Sequence, residues 1–149
     1  MKNIILLFAC LMAFGVLYAK PNKPITVATY NLRQLNDHDG PNVWANRKDA
    51  VKDLVKYHEF DIYGTQEGFL SQLKDLQELD GFAYTGHGRE DGIDKGEHSA
   101  IFYKKDRLLL LDSGDFWLRE ESDKPGLGWD ATCCNRICSW GKFKDKATS

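Results

Sequence analysis

Apolar residues first gather at positions 4–17, a nearly unbroken hydrophobic run behind Lys2. From residue 25 onward the pattern breaks into short segments with two different periods. Residues 25–30 (Ile-Thr-Val-Ala-Thr-Tyr) and 60–65 (Phe-Asp-Ile-Tyr-Gly-Thr) are rich in β-formers and read as strands, apolar enough for burial on both faces. Between them Val43, Ala50, Val51, Leu54 and Val55 recur at helical spacing over residues 43–58, and Pro41 suits a first turn. A second helical pattern puts Leu73, Leu76 and Leu79 on one face, with Ser71 as its cap and Gly81 as its end. Strands are then expected at 82–85, 98–104, 108–112, 115–118 and 131–143. A polar loop with four glycines covers 86–96, and a Pro/Gly-containing loop covers 119–130.

Strand, helix, strand, helix and then a run of strands predicts an α/β fold with a mixed sheet. The first three elements favour a right-handed crossover with parallel strands, whose C-terminal ends share one rim. That rim is where open α/β sheets take ligands. Asn31 and Glu67 close the two strands and are expected side by side there. An amide oxygen and a carboxylate converging on one point suit a hard divalent cation such as Mg²⁺. A sheet with helices on one face leaves the other unburied, so the pattern reads as an unfinished domain.

Composition narrows the class. The chain has 149 residues, 42% hydrophobic and 28% charged, which fits one soluble globular domain. A net charge of −2 supplies no global basic field for nucleic acid. Lys2, the apolar run and the small residue Ala19 read as a secretory signal peptide at 1–19, leaving 20–149 as the mature domain. Lipoprotein anchoring at Cys10 is the less favoured reading, because the apolar run continues past it. No later stretch is long and apolar enough to span a membrane, so a secreted or periplasmic chain is expected. Cys133, Cys134 and Cys138 then remain, which permits one disulfide and one free thiol. On a strand, Cys133 and Cys134 would point to opposite faces, and Cys134 and Cys138 would lie too far apart to bridge. Without a nearby histidine the three make a poor zinc site.

Glu67 is the strongest chemical candidate, since a carboxylate ending a buried strand is costly unless paired or metal-bound. Asn31 is also a common turn residue. Arg47 interrupts the apolar helix face, either packing its stem on the sheet or reaching a phosphate at the rim. Arg89, in the glycine-rich loop, offers a bidentate phosphate donor. Glu97 and His98 precede the next strand, where a histidine serves acid–base chemistry or structure. Trp117, Trp129 and Trp140, with Tyr84, provide either a core or an aromatic rim for a base or sugar.

Read together, Thr29-Tyr30-Asn31-Leu32-Arg33, Trp44 with Arg47, Gln66-Glu67, Gly88-Arg89 with Asp91-Gly92, and the stretch from Gly96 to Arg107 resemble the endonuclease/exonuclease/phosphatase superfamily. Phe116-Trp117-Leu118, Gly128-Trp129-Asp130 and Asn135-Arg136-Ile137-Cys138-Ser139-Trp140 continue the resemblance, which is to a secreted bacterial branch. It implies a four-layer α/β sandwich of two mixed sheets that cleaves phosphoesters with Mg²⁺ or Mn²⁺. It implies Glu67 as metal ligand, Asn31 beside it as a direct or water-mediated ligand, and Arg47, Arg89 and Glu97 as polar positions near the site. The substrate, whether nucleic acid, lipid head group or sugar phosphate, stays open, and no protein partner is expected. The family's later Asp-x-Asn and Asp-His motifs have no counterpart here. The chain is therefore expected to match the N-terminal half of such an enzyme and to be inactive alone. The competing reading is a non-catalytic phosphate- or sugar-binding module on the same fold.

Overall fold

The computed structural model describes residues 23–148. The expected leader at 1–19, with Cys10, lies outside the described residues. The elements run β1 (Val27–Asn31), a 3-10 turn (Gly40–Asn42), α1 (Trp44–Tyr57), β2 (Ile62–Gln66), α2 (Leu70–Gln77), β3 (Phe82–Thr85), β4 (Ile101–Lys104), β5 (Leu108–Trp117) and β6 (Ile137–Asp145). The first four strands form a mixed sheet in the order β1-β2-β4-β3. β1 and β2 are parallel, and β4 runs antiparallel to both β2 and β3. The last two strands form a separate antiparallel pair. The α/β class and the parallel β1–α1–β2 crossover are as the residue pattern predicts.

Both helices cover one face of the sheet. Val51 and Val55 from α1, and Leu73 and Leu76 from α2, pack on Tyr63 and Phe102, all buried. The Tyr63 and Phe102 rings stack with centroids 5.0 Å apart, an arrangement that adds about 0.5–1.5 kcal/mol to their burial. Strand pleating sends the alternate residues to the far face. There the expectation of two-sided burial for β1 fails: Val27 is 72% exposed, because β1 is an edge strand with helices on only one side. Asn31 lies on that uncovered face, opposite Gln66 in the β1–β2 register.

Several boundaries shift for local reasons. Ser71 lies inside the first turn of α2, and the cap position falls to Phe69, whose N–H donates to Gln72 Oε1 at 2.9 Å. Gly81 (φ +82°) turns the chain into β3, several residues beyond the last helical residue Gln77. The expected break at Ser113-Gly114 is absent: β5 runs through it, with one register shift between Leu110 and Asp112. Gly114 faces Trp140, whose indole comes within about 3 Å of where a Cβ would stand. His98 precedes β4 and forms isolated bridges to Gly68 and Gly88. β6 starts at Ile137, six residues later than expected, because residues 131–136 are irregular and Cys134 takes φ +66°. The two neighbouring cysteines therefore do not face apart: their sulfurs lie 2.8 Å from each other, and all three described cysteines are free.

Candidate active site

The site forms where the C-terminal ends of β1 and β2 meet the start of β6. A cleft of about 220 Å³ opens there, with Glu67, Asn31, Arg89 and Glu97 on its walls and the Asn135–Ile137 segment across from them. Two loops build the first wall. The Leu32 N–H continues the sheet to Gln66 O at 3.0 Å. Buried Gln72 donates to Arg33 O at 2.9 Å, and Arg47 donates to Leu32 O at 2.9 Å. Helices α1 and α2 thus each hold the chain leaving β1.

Glu67 sits at φ +59°, in the left-handed region that a non-glycine residue adopts at a cost of about 1–2 kcal/mol. Strain of this kind persists where surrounding contacts over-determine it, and it concentrates at functional sites. Here the contacts are explicit. Asn31 Nδ2 donates to Glu67 Oε1 at 2.9 Å, and the Gln34 N–H donates to Oε2 at 3.1 Å. The Asn31 bond first, then the Gln34 N–H and the charges of Arg33 and Arg89, hold this carboxyl below its usual range. Glu67 is therefore an anion, and each of its two oxygens keeps a lone pair for a further partner.

Asn31, expected beside Glu67 as a direct or water-mediated metal ligand, meets it through its amide NH₂. Its Oδ1 accepts the Arg33 N–H at 2.8 Å while its Nδ2 serves Glu67. Turning the amide over would set Oδ1 against Oε1, acceptor on acceptor, and leave the Arg33 N–H facing an NH₂ group. Asn31 accordingly orients Glu67. Among the described residues no group of three or more His, Cys, Asp or Glu side chains gathers to hold a metal. One carboxylate still fits Mg²⁺, which is commonly held by one or two carboxylates with water and substrate phosphate filling the other positions.

The expected basic groups divide. Arg89 lies in the cleft, but Glu97 at 2.6 Å and Glu90 at 3.1 Å match its charge. Glu97 is brought to the site as Arg89's partner. Arg47 faces a separate recess with Arg33 and Asp39, its guanidinium bonded to the carbonyls of Asn42 and Leu32. It shapes the loop after β1 from outside the cleft. His98 is buried, donates its N–H to Gly68 O at 2.7 Å, and places Nδ1 3.2 Å from Gly96 O. It pins both site loops. Burial pushes its imidazole below the ordinary range, against the opposing pull of the Gly96 and Gly68 backbone groups on the ring.

The aromatic rim does not assemble around Glu67. Trp117 is buried and donates Nε1–H to Arg89 O at 2.7 Å, Tyr84 packs on the core, and Trp129 and Trp140 are exposed. The residues that sequence reasoning left without a role are Asn135 and Arg136. The pair stands just before a strand inside a matching motif, a signal that was present but not separable from a turn. Asn135 Nδ2 donates to Glu90 Oε2 at 2.9 Å and to Arg89 O at 3.3 Å, which ties the segment before β6 to the glycine-rich loop.

No family model matches the chain, and no curated protein does. Solved structures do. An endonuclease/exonuclease/phosphatase family protein from Bacteroides thetaiotaomicron is 54% identical over 82% of this chain and 44% of its own, with a TM-score of 0.79. A mannosyl-6-phosphatase from the same organism is 54% identical over 84% of this chain and 48% of its own (TM-score 0.81). A family protein from Bacteroides vulgatus is 46% identical over 83% and 48%, also at 0.81. The chain spans less than half the length of each of these structures. With this identity over more than four-fifths of its length and these TM-scores, the chain belongs to the endonuclease/exonuclease/phosphatase family.

Proposed function

We propose that this chain supplies the metal-carboxylate half of a divalent-metal-dependent phosphoester hydrolase. The observation that carries the reading is Glu67: an ionised carboxylate, held in a strained backbone conformation by two hydrogen bonds, at the ligand-binding rim of a parallel strand pair. Glu67 would hold Mg²⁺ or Mn²⁺, with Asn31 fixing its rotamer. A bound cation supplies Lewis acidity toward a phosphate oxygen. The chain's own residues orient Glu67, wall the cleft, and present positive charge to the phosphate. One relative at 54% identity is a mannosyl-6-phosphatase, so a sugar phosphate monoester is the first substrate class to test. A net charge of −2 gives no support to a long polyanion as substrate.

The family resemblance implies general acid–base groups that have no counterpart in this chain. Alone it is expected to bind metal and phosphate without turnover. General acid–base catalysis typically contributes 10²–10⁴-fold. A leader at 1–19 would carry the protein out of the cytoplasm, to the periplasm or beyond. No described helix is long and apolar enough to cross a membrane.

The test is a chimera that follows this chain with the unmatched second half of the Bacteroides thetaiotaomicron mannosyl-6-phosphatase. Mg²⁺-dependent release of phosphate from mannose 6-phosphate, abolished by Glu67→Gln, is the expected result. A folded chimera whose activity survives Glu67→Gln would overturn the role of Glu67. Metal-independent phosphate binding that also survives Glu67→Gln would favour a non-catalytic binding module.

A further inference from the structure

The chain has six arginines, and five are engaged. Arg33 pairs with Asp39, and Arg107 with Asp145. Arg119 pairs with Glu121 and donates to Pro125 O. Arg47 is bonded to two carbonyls, and Arg89 to two carboxylates. Arg136 is the exception: among the described residues its guanidinium has no hydrogen bond and no ion pair. Its position is nevertheless fixed. Its carbonyl accepts the Leu118 N–H at 2.9 Å, Asn135 before it is anchored to Arg89 and Glu90, and Ile137 after it pairs with Trp117 at the start of β6. A tethered backbone thus presents an uncompensated guanidinium to the cleft that holds Glu67.

We propose that Arg136 is the phosphate-positioning residue of this site, binding the oxygens of a phosphate monoester directly. The inference rests on the phosphoester reading above and assigns to Arg136 what the sequence suggested for Arg89. The physical reason is charge balance. An anion approaching Arg89 also meets Glu97 and Glu90, both within ion-pair distance of that guanidinium. An anion approaching Arg136 displaces no carboxylate. The planar fork of arginine matches two phosphate oxygens at once, which a lysine ammonium cannot do. Fixing Cα at both neighbours lowers the ordering cost of binding to that of one side chain.

The experiment uses the mature chain with inorganic phosphate as probe, measured by calorimetry, and Mn²⁺ binding measured separately by electron paramagnetic resonance. Arg136→Ala is expected to weaken phosphate about tenfold or more, the range for a charge-assisted bidentate contact. Arg136→Lys should retain an intermediate affinity, and added guanidinium should partly restore Arg136→Ala. Mn²⁺ affinity should be unchanged in Arg136→Ala and lost in Glu67→Gln. The Arg136 side chain is exposed, so the thermal midpoint should not move. Phosphate affinity within twofold of the parent in a folded Arg136→Ala chain, or no phosphate binding by the parent, overturns the proposal. Loss of phosphate in Arg136→Ala with no Mn²⁺ binding by any chain leaves Arg136 standing and removes the metal reading.

Discussion

Replacing Asn31 with alanine tests how Glu67 is held. The variant removes two bonds, Asn31 Nδ2 to Glu67 Oε1 at 2.9 Å and the Arg33 N–H to Asn31 Oδ1 at 2.8 Å. Each is worth roughly 0.5–1.5 kcal/mol net, and both lie at the surface, so a total loss of about 1–2 kcal/mol is expected. For a chain of this size that is roughly 3–6 °C in Tm. The loss should depend on pH, and the sign follows from Glu67. Its carboxyl is depressed first of all by Asn31. The stability it contributes is therefore full above the ordinary glutamate value near 4.3 and lost as pH falls through the depressed one. In Asn31→Ala that acid sensitivity shrinks. The gap between parent and variant should be widest at pH 7 and narrow as pH falls through the depressed value of Glu67, below which only the missing Arg33 bond still counts. Mn²⁺ affinity should fall about 10–100-fold, as for other residues that orient a metal ligand. Thermal unfolding across pH, read with Mn²⁺ titration, measures both. A stability gap that stays constant with pH, together with unchanged Mn²⁺ affinity, would refute the assignment of Asn31 as the orienting partner of an ionised Glu67.

Three other outcomes are expected. In Gly88→Ala the new methyl would stand on the neighbouring backbone, 2.6 Å from the Lys95 nitrogen. The glycine-rich loop must open, costing about 1–3 kcal/mol and loosening Arg89; amide exchange at residues 88–97 indistinguishable from the parent would contradict this. Buried His98 stays neutral in the fold because burial lowers its pKa. Its unfolded form takes up a proton below about 6.5, so its contribution to stability is lost as pH falls through that range. His98→Gln should flatten the pH 5–7 part of the unfolding curve, and an unchanged slope would exclude His98 as its source. The Cys133 and Cys134 sulfurs, 2.8 Å apart, should together capture one equivalent of a trivalent arsenical such as phenylarsine oxide. Cys133→Ser should lose the capture while Cys138→Ser keeps it, as read by intact mass.

Much of the fold was legible because each element carries its own signal. Val51 and Val55 lie four residues apart on one helix face, and Tyr63 and Thr65 lie two apart on one strand face. These periods gave α1 and β2 with errors at the ends alone. The misread segments were those whose geometry depends on a partner. β5 runs through Ser113-Gly114 because β6 lies beside it, and glycine there admits the Trp140 indole. No local pattern encodes that. The cysteine pair was misread for the opposite reason: an extended strand was assumed where the positive φ of Cys134 folds the chain back on itself.

The site divides along the same line. Asn31 and Glu67 could be brought together in advance, since both end strands that topology makes parallel. Their roles could not be separated, because residue type alone does not say which amide atom faces the carboxylate. The arginines were harder. Arg47, Arg89 and Arg136 are chemically equivalent in a sequence, and what distinguishes them is which opposing charge each has already met. Glu97 lies eight residues from Arg89 across a loop, and Asn42 and Leu32 reach Arg47 only once the chain after β1 has folded back onto α1. A free cation beside a held anion is a property of the assembled cleft; on the reading proposed above, Arg136 directly and Glu67 through a bound metal ion would grip a phosphate from two sides.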